Sequence, residues 1–176
     1  MSKLSIAHFG LRSRNLPDAI DWYGKAFGAK VLYRDEVAAF MSFDEEHHRF
    51  VIWDDGETQP KSEVASGVDH IGFACDSLSH LADEYMRLMG LGIQPSLCVN
   101  HGFTCSIYYH DPDGNEVELT ADNFPTKEEC TAFMRSEAMK SVMQPPFYGA
   151  SFDPSDLAKM RQNNASEADM AALGIN

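Results

Sequence analysis

Two stretches of the sequence decide its fold: IAHFGLRSRNLPDAIDWYGKAFG (residues 6–28) and VDHIGFACDSLSHLADEYMRLMG (residues 68–90). A shift of 62 residues, the interval from His8 to His70, aligns the two stretches without a gap. Six aligned pairs are identical: His8/His70, Gly10/Gly72, Leu16/Leu78, Asp21/Asp83, Tyr23/Tyr85 and Gly28/Gly90. Identity at this density indicates an internal repeat, so the chain contains two copies of one supersecondary unit.

Each copy predicts a βαβββ order of elements. A short first strand (residues 4–11 and 67–74) precedes an amphipathic helix, because apolar residues recur there at helical spacing. Asn15 and Ser77 can cap the helix starts, and Gly28 and Gly90 are placed to end the helices. Three strands follow each helix, at residues 30–33, 37–43 and 49–53, and at residues 93–99, 103–110 and 116–120. Asp111-Pro112-Asp113-Gly114 predicts a hairpin turn. The fold class is therefore α+β, built from paired βαβββ modules.

The repeat predicts a single domain, residues 1–122, made of module one (4–54) and module two (67–120). A helical C-terminal extension (residues 123–176) follows. Its first helix opens with a capping box at Thr126 and Glu129 and runs to about residue 142, where Gln144-Pro145-Pro146 stops it. Asp153-Pro154 and Ser166 open shorter helices. The extension has few large apolar residues, so we expect it to lie on the surface, over a cleft or a subunit interface.

Composition excludes several classes of partner. The chain has 14 Lys and Arg against 27 Asp and Glu, a formal net charge of −13. Such an acidic chain has no electrostatic footprint for nucleic acid or for an anionic membrane surface. The first residues carry no apolar leader, and the four cysteines form no Cys-x-x-Cys pair. These features predict reduced thiols and a cytoplasmic location.

Two histidines occupy equivalent positions in the repeat, His8 and His70, each in the middle of a predicted strand. If the two modules pair, equivalent positions converge, and two imidazoles that meet indicate a metal site. Glu118 lies on the last strand of module two, on the same face as Glu116 by strand alternation. Module one has no equivalent carboxylate on its last strand, residues 49–53. Two imidazoles and one carboxylate form the ligand set of non-haem Fe(II) oxygenases and leave positions open for substrate and O2.

Three further residues are candidates for catalysis. His48 lies at the mouth of the last strand of module one, which reads His47-His48-Arg49-Phe50, and an uncoordinated imidazole near the metal can act as acid or base. Its neighbour His47 is expected to point the opposite way. His101, in the turn Asn100-His101-Gly102, and Tyr108, on the following strand, can hydrogen-bond a ligand on the metal.

The paired βαβββ units with His8, His70 and Glu118 resemble those of the vicinal oxygen chelate superfamily, which includes glyoxalase I and the bleomycin-resistance proteins. The segments around His70-Ile71-Gly72 and from Asp111 to Leu119 are typical of it. The closer resemblance is to single-module type I extradiol ring-cleavage dioxygenases, of the 2,3-dihydroxybiphenyl and catechol 2,3-dioxygenase kind. Asp44-Glu45-Glu46-His47-His48 resembles the family segment that carries its catalytic histidine. A tyrosine ten residues before the metal glutamate matches Tyr108, whereas His101 matches the family pattern only loosely.

The resemblance implies an enzyme that uses Fe(II), bound by His8, His70 and Glu118, to cleave the ring of a small aromatic diol with O2. His48 would accept and return a proton, and Tyr108 and His101 would contact the substrate. Family members are commonly homodimers or larger homo-oligomers. Two alternatives stay open on the same fold: a metal-dependent, glyoxalase-like isomerase or lyase, and a metal-free small-molecule binding protein that confers resistance.

Overall fold

The computed structural model describes residues 4–62, 66–142, 144 and 148–175. The chain divides into two compact units. Unit 1 comprises the described residues up to Gly67 together with Asp111–Asn115, and unit 2 comprises Val68–His110 and the described residues from Glu116 onward. Each unit contains one sheet and follows the βαβββ order, so the predicted α+β class and the paired modules are confirmed.

Unit 1 contains a four-stranded sheet and one helix. Its elements are β1 (Phe9–Arg12), α1 (Leu16–Phe27), β2 (Lys30–Arg34), β3 (Ala38–Ser42) and β4 (Phe50–Trp53). The strand order is β1-β4-β3-β2, with β1 parallel to β4 and the other pairs antiparallel. The side chain of Asn15 caps α1 as predicted, and Gly28 ends the helix at a φ of 65°, which glycine adopts without strain. Tyr23 packs on Phe50, with ring centroids 4.6 Å apart, and so fixes α1 to the sheet.

Unit 2 contains a five-stranded sheet and five helices in its described residues. Its elements are β5 (His70–Ala74), α2 (Leu78–Gly90), β6 (Leu97–Asn100), β7 (Thr104–His110), β8 (Glu116–Asp122), α3 (Lys127–Met134), α4 (Glu137–Val142), β9 (Ala150–Ser151), α5 (Pro154–Gln162) and α6 (Glu167–Ala171). The strand order is β5-β8-β7-β6-β9, and β5 is parallel to β8. The first and last strands of the module are therefore neighbours in unit 2, as they are in unit 1.

The strand register gives the equivalent positions of the two sheets. In unit 2, Glu118 is paired with Gly72 on β5 and with Tyr108 on β7. In unit 1, Val51 is paired with Gly10 on β1 and with Phe40 on β3. Val51 therefore occupies the position that Glu118 has in unit 2, so unit 1 has no carboxylate at this place.

The first strands begin later than the sequence predicts. β1 starts at Phe9, so His8 precedes the strand, and His70 is the first residue of β5 rather than its middle. In unit 1 the backbone before β1 is bound by a side chain instead of a strand. The Arg49 guanidinium donates to the carbonyls of Ile6 and Ala7 at 2.7 and 3.0 Å. These carbonyls are thus satisfied without a neighbouring strand.

The helix ends also differ in part from the prediction. α2 ends at Gly90 as predicted, but the left-handed conformation is taken two residues later by Gly92, at a φ of 79°. The single helix predicted to residue 142 is interrupted between Met134 and Glu137. The predicted stop at Pro145-Pro146 lies outside the described residues, as do parts of the predicted linker and the first three residues.

The C-terminal extension is integrated into unit 2, contrary to the expectation that it lies on the surface. Leu157 and Met170 are fully buried, and β9 adds a strand to the sheet beside β6. The Glu167 carboxylate accepts from the backbone N–H groups of Leu78 and Ser79 at 2.8 and 3.1 Å, at the start of α2. The extension therefore satisfies amide groups that α2 itself leaves open.

The predicted turn at residues 111–114 is confirmed. Gly114 N–H donates to the Asp111 carbonyl at 3.0 Å, and Gly114 has a φ of 82°. The buried Asp111 carboxylate accepts from the backbone N–H groups of Asp113 and Asn115 and from the hydroxyl of Tyr23 at 3.0 Å. Burial, and then the Asp111 charge, raise the pKa of Tyr23, so this hydroxyl stays a donor. The turn is thus fixed from within and by α1.

Among the described residues, no helix combines the length and the apolar character that crossing a membrane requires.

The pKa values of three cysteine thiols are strongly raised. Burial raises the pKa values of Cys75, Cys98 and Cys105 to about 12. These three high-pKa thiols are protonated at neutral pH, which makes them poor nucleophiles.

Candidate active site

His70 and Glu118 lie side by side on adjacent parallel strands of unit 2. His70 Nδ1 is 3.0 Å from Asp69 Oδ2, and His70 Nε2 is 3.4 Å from Glu118 Oε2. Because Asp69 accepts at Nδ1, Nε2 keeps a lone pair directed toward Glu118. Two donor atoms bound to one ion at ~2.1 Å lie roughly 3.0–3.4 Å apart. The imidazole and carboxylate therefore suit a shared metal ion.

Gly72 leaves the space that the Glu118 carboxylate occupies. A Cβ atom built at residue 72 would lie 2.7 Å from Glu118 Oε2, closer than Cβ atoms approach other atoms. The equivalent Gly10 in unit 1 has nothing within 4 Å of such an atom. Gly72 thus has a local function at the carboxylate, which its counterpart does not share.

A second combination of ligands uses the same histidine. Ligand atoms of Asp69, His70 and Glu116 all lie within 4.8 Å of one another, so these three residues could also hold a metal ion. Glu116 is in addition 3.8 Å from the Nε2 atom of His110. Unit 2 therefore presents a possible metal site centred on His70, with carboxylates on either side of it. Imidazole and carboxylate donors fit Fe(II), Mn(II) or Zn(II) rather than Cu(I), which prefers sulfur.

Tyr108 and His101 form a hydrogen-bonded pair beside Glu118. His101 Nε2 is 3.1 Å from the Tyr108 hydroxyl, and His101 Nδ1 is 2.8 Å from the carbonyl oxygen of Tyr148. Tyr108 is buried, and its ring meets that of His70 edge to face at 5.5 Å. Burial, and then the Glu118 carboxylate, raise the pKa of the Tyr108 hydroxyl, which keeps it protonated at neutral pH.

Unit 1 brings together His8 and His48. Their rings stack with centroids 4.5 Å apart, and Phe40 packs edge-on against His48 at 5.4 Å. Burial, and then the neighbouring His47 and His8, lower the pKa of His48. The neutral imidazole is therefore favoured, which is the form that accepts a proton.

The expectation that His47 points away from His48 is wrong. The Nδ1 atoms of the two rings are 2.5 Å apart, within hydrogen-bond distance. Both residues precede β4, so strand alternation does not apply to them. Instead they lie in a loop that Asp44 holds, because its carboxylate accepts from the Arg49 side chain at 2.9 Å and from Glu46 N–H at 3.1 Å.

Within unit 2, four of the predicted site residues are therefore in contact or near contact: His70, Glu118, Tyr108 and His101. Within unit 1, His8 and His48 are in contact. The three-residue ligand set of His8, His70 and Glu118 remains a prediction. Sequence reasoning missed Asp69, Gly72 and the carbonyl of Tyr148. Gly72 could have been noticed, because it is one of the six identities of the repeat; Tyr148 has no sequence signal.

The comparisons with known proteins show the family of the chain. The model of the glyoxalase/bleomycin resistance protein/dioxygenase superfamily matches residues 5–119, and the chain belongs to that superfamily. The chain is 37% identical over 167 residues to biphenyl-2,3-diol 1,2-dioxygenase 3 of Rhodococcus globerulus, covering 94% of this chain and 86% of that protein. It is 38% identical over 154 residues to biphenyl-2,3-diol 1,2-dioxygenase 2 of the same organism, covering 84% of this chain and 76% of that protein.

A solved structure supports the fold alone. The crystal structure of a glyoxylase/bleomycin resistance protein/dioxygenase domain from Frankia sp. EAN1pec superposes with a TM-score of 0.58 at 21% identity. The superposition covers 73% of this chain and 98% of that one. The chain is thus a member of a superfamily with several activities, and its curated relatives of higher identity are named as dioxygenases.

Proposed function

We propose that this protein is an Fe(II)-dependent extradiol dioxygenase, which opens the ring of a catecholic substrate next to its two hydroxyl groups and adds both atoms of O2. The observation that carries the proposal is the pairing of His70 and Glu118 over Gly72, with the Tyr108 hydroxyl beside them. The identity of 37% over 94% of the chain to a biphenyl-2,3-diol 1,2-dioxygenase supports the same substrate class.

The proposed ligands are His8, His70 and Glu118. Fe(II) held there would supply electron transfer between the diol and O2. We prefer Glu118 to Glu116 for two reasons. The side chain of Glu118 is only 12% exposed, against 26% for Glu116, and it faces Nε2 of His70. Asp69 on the opposite nitrogen orients the ring, as carboxylates commonly do for histidines that bind metals.

The other residues of the site handle protons and orientation. His48, whose lowered pKa favours the neutral ring, is suited to accept a hydroxyl proton from the diol and to return it when the ring opens. The Tyr108 hydroxyl lies where it can hydrogen-bond with a bound diol, and His101 orients this hydroxyl. Phe40 packs against His48 and excludes water from one side of it.

The test begins with protein purified without air and analysed for its metal content. We expect one iron per chain. Addition of catechol or 2,3-dihydroxybiphenyl in the presence of O2 should give a yellow ring-opened product, with one O2 consumed per molecule of diol. Zinc or nickel without ring cleavage would favour the isomerase or lyase, and tight ligand binding without metal would favour the resistance protein.

Two further expectations belong to this proposal. We propose that the protein forms a homodimer or a larger homo-oligomer, because every residue of β2 is exposed, including the apolar Val31, Leu32 and Tyr33. The mass in solution, measured by light scattering after gel filtration, tests this point. We also propose a cytoplasmic location with a small aromatic diol and O2 as the only partners required for activity.

A further inference from the structure

We propose that the C-terminal extension is the positioning element of His101: the Tyr148 carbonyl fixes this imidazole in its Nδ1–H form, so that Nε2 accepts a hydrogen bond from the Tyr108 hydroxyl. The catalytic consequence rests on the proposed dioxygenase function, whereas the contact itself does not. Neither His101 nor Tyr148 is a proposed metal ligand.

The two hydrogen bonds of His101 define its tautomer. A backbone carbonyl only accepts, so the Nδ1 atom at 2.8 Å from Tyr148 O must carry a proton. In the neutral ring Nε2 is then the acceptor, and its partner at 3.1 Å is the Tyr108 hydroxyl. The Glu118 carboxylate is a second acceptor beside this hydroxyl. Where that carboxylate binds the metal, the Tyr108 proton is directed to His101, and the Tyr108 oxygen presents lone pairs that can accept a hydrogen bond from a hydroxyl group of the diol.

The backbone at Tyr148 is held in an uncommon conformation that makes this contact. Tyr148 is a non-glycine residue with a φ of 51°, in the left-handed region that side chains disfavour. Gly149 follows, and a Cβ atom there would lie 2.5 Å from Val99 Cγ1 and 2.6 Å from the Asn100 carbonyl oxygen. Only glycine therefore lets this segment approach β6 closely enough for the Tyr148 carbonyl to reach His101.

The buried side-chain amide of Asn100, next to His101, binds the backbone at and just after the end of α6, near the end of the extension. Asn100 Nδ2 donates to the carbonyls of Ala171 and Leu173, both at 2.9 Å. Asn100 Oδ1 accepts from Gly102 N–H at 2.9 Å and from Asn123 Nδ2 at 2.8 Å. All four hydrogen-bonding positions of this amide are thus used, which fixes the turn on both sides of His101.

The helices of the extension cover the same turn from the other side. Gly102 has a φ of 83°, and a Cβ atom there would lie 2.8 Å from ring atoms of Phe133 and 3.2 Å from Val142 Cγ1. Phe133 belongs to α3 and Val142 to α4. Side chains and backbone from three parts of the extension therefore converge on the turn that carries His101, although no described residue of the extension is among the proposed ligands, acids or bases.

The experiment uses the full-length chain and the variant Gly149→Ala, which must move β9 away from β6. The control is Gly90→Ala, because that position has nothing within 4 Å and no left-handed φ. In the metal-free proteins, long-range 1H–15N spectra of the histidine rings report the tautomer of His101. We expect the Nδ1–H form in the wild type and in Gly90→Ala, and a shift toward the Nε2–H form in Gly149→Ala.

In the iron-loaded proteins, Gly149→Ala should lower kcat about tenfold to hundredfold with little change in KM or in iron content, since the loss is one of orientation. An Nε2–H tautomer in the wild type would overturn the proposal even if Gly149→Ala does not fold. A changed tautomer with unchanged kcat would overturn the positioning role. If no diol is cleaved by the wild type, the dioxygenase function fails, and the metal-free spectra still decide whether the Tyr148 carbonyl fixes His101.

Discussion

Substitution of Gly72 by alanine tests which of two carboxylates, Glu118 or Glu116, binds a metal together with His70. The new Cβ would lie 2.7 Å from Glu118 Oε2, and ordinary contact begins at 3.4 Å, so the carboxylate must retreat by about 0.7 Å. A displacement of ~1 Å at a reacting centre can cost about 100-fold in rate. We therefore expect Gly72→Ala to lower iron affinity and kcat/KM roughly tenfold to hundredfold. Residue 72 has no left-handed φ, so alanine introduces no backbone strain.

The assay measures iron by titration under anaerobic conditions, diol turnover by O2 uptake, and the free energy of unfolding in urea. Gly10→Ala is the matched control, because it is the equivalent position in unit 1, faces Val51 and meets nothing within 4 Å. Gly10→Ala should gain ~0.4–1 kcal/mol of stability, since alanine at a compatible position restricts the unfolded chain. In Gly72→Ala the displacement of the Glu118 side chain offsets this gain, so that variant should unfold close to the wild type. Wild-type iron affinity and turnover in Gly72→Ala would refute the assignment of Glu118 and turn attention to Glu116.

Four further predictions follow from the same contacts. Glu118→Ala should lose most of its bound iron by elemental analysis, whereas Glu116→Ala should keep it; the reverse result would assign the site to Glu116. His48→Gln should retain iron while kcat falls by about 10²–10⁴-fold. His47→Gln should lower kcat by roughly tenfold at most, the equivalent of one hydrogen bond, and equal effects of the two substitutions would contradict the role of His48. Tyr23→Phe leaves the buried Asp111 carboxylate without one donor and should lower the free energy of unfolding in urea by ~1–3 kcal/mol. The three high-pKa thiols should react with iodoacetamide at pH 8 only after unfolding, because their pKa values near 12 keep them protonated in the fold; fast labelling of the native protein would be inconsistent with this.

The features that the sequence predicted correctly are local. Asn15 and Ser77 cap the two repeated helices, and residues 111–114 form the expected turn, because each depends on side chains within four positions along the chain. The repeat extended this local information to the βαβββ order of elements in both modules. The start of β1 was not predictable in the same way, since the carbonyls before it are satisfied by Arg49, 42 and 43 residues away.

For the candidate site, the sequence indicated which residue types belong together but not how they are oriented. Strand alternation placed Glu116 and Glu118 on the same face, and only the register with Gly72 distinguishes their surroundings. His47 and His48 were expected on opposite sides because they were assigned to a strand that begins only at Phe50. The contact of His101 with Tyr148 spans 47 residues and involves a backbone carbonyl, which leaves no pattern in the sequence.

The carboxylate of Glu167 at the start of α2 has a consequence for synthesis on the ribosome. Glu167 follows its partner Leu78 by 89 residues. At ~5–20 residues per second, α2 therefore waits roughly 4–18 s for this carboxylate. During that interval the nascent helix has the Ser77 hydroxyl at its amino end, but its first two amide groups remain in water. The amino end of α2 in unit 2 is thus completed only late in translation, and a ribosome that stalls between residues 151 and 167 would hold a chain in which every strand of unit 2 has been synthesised but α2 is incompletely capped.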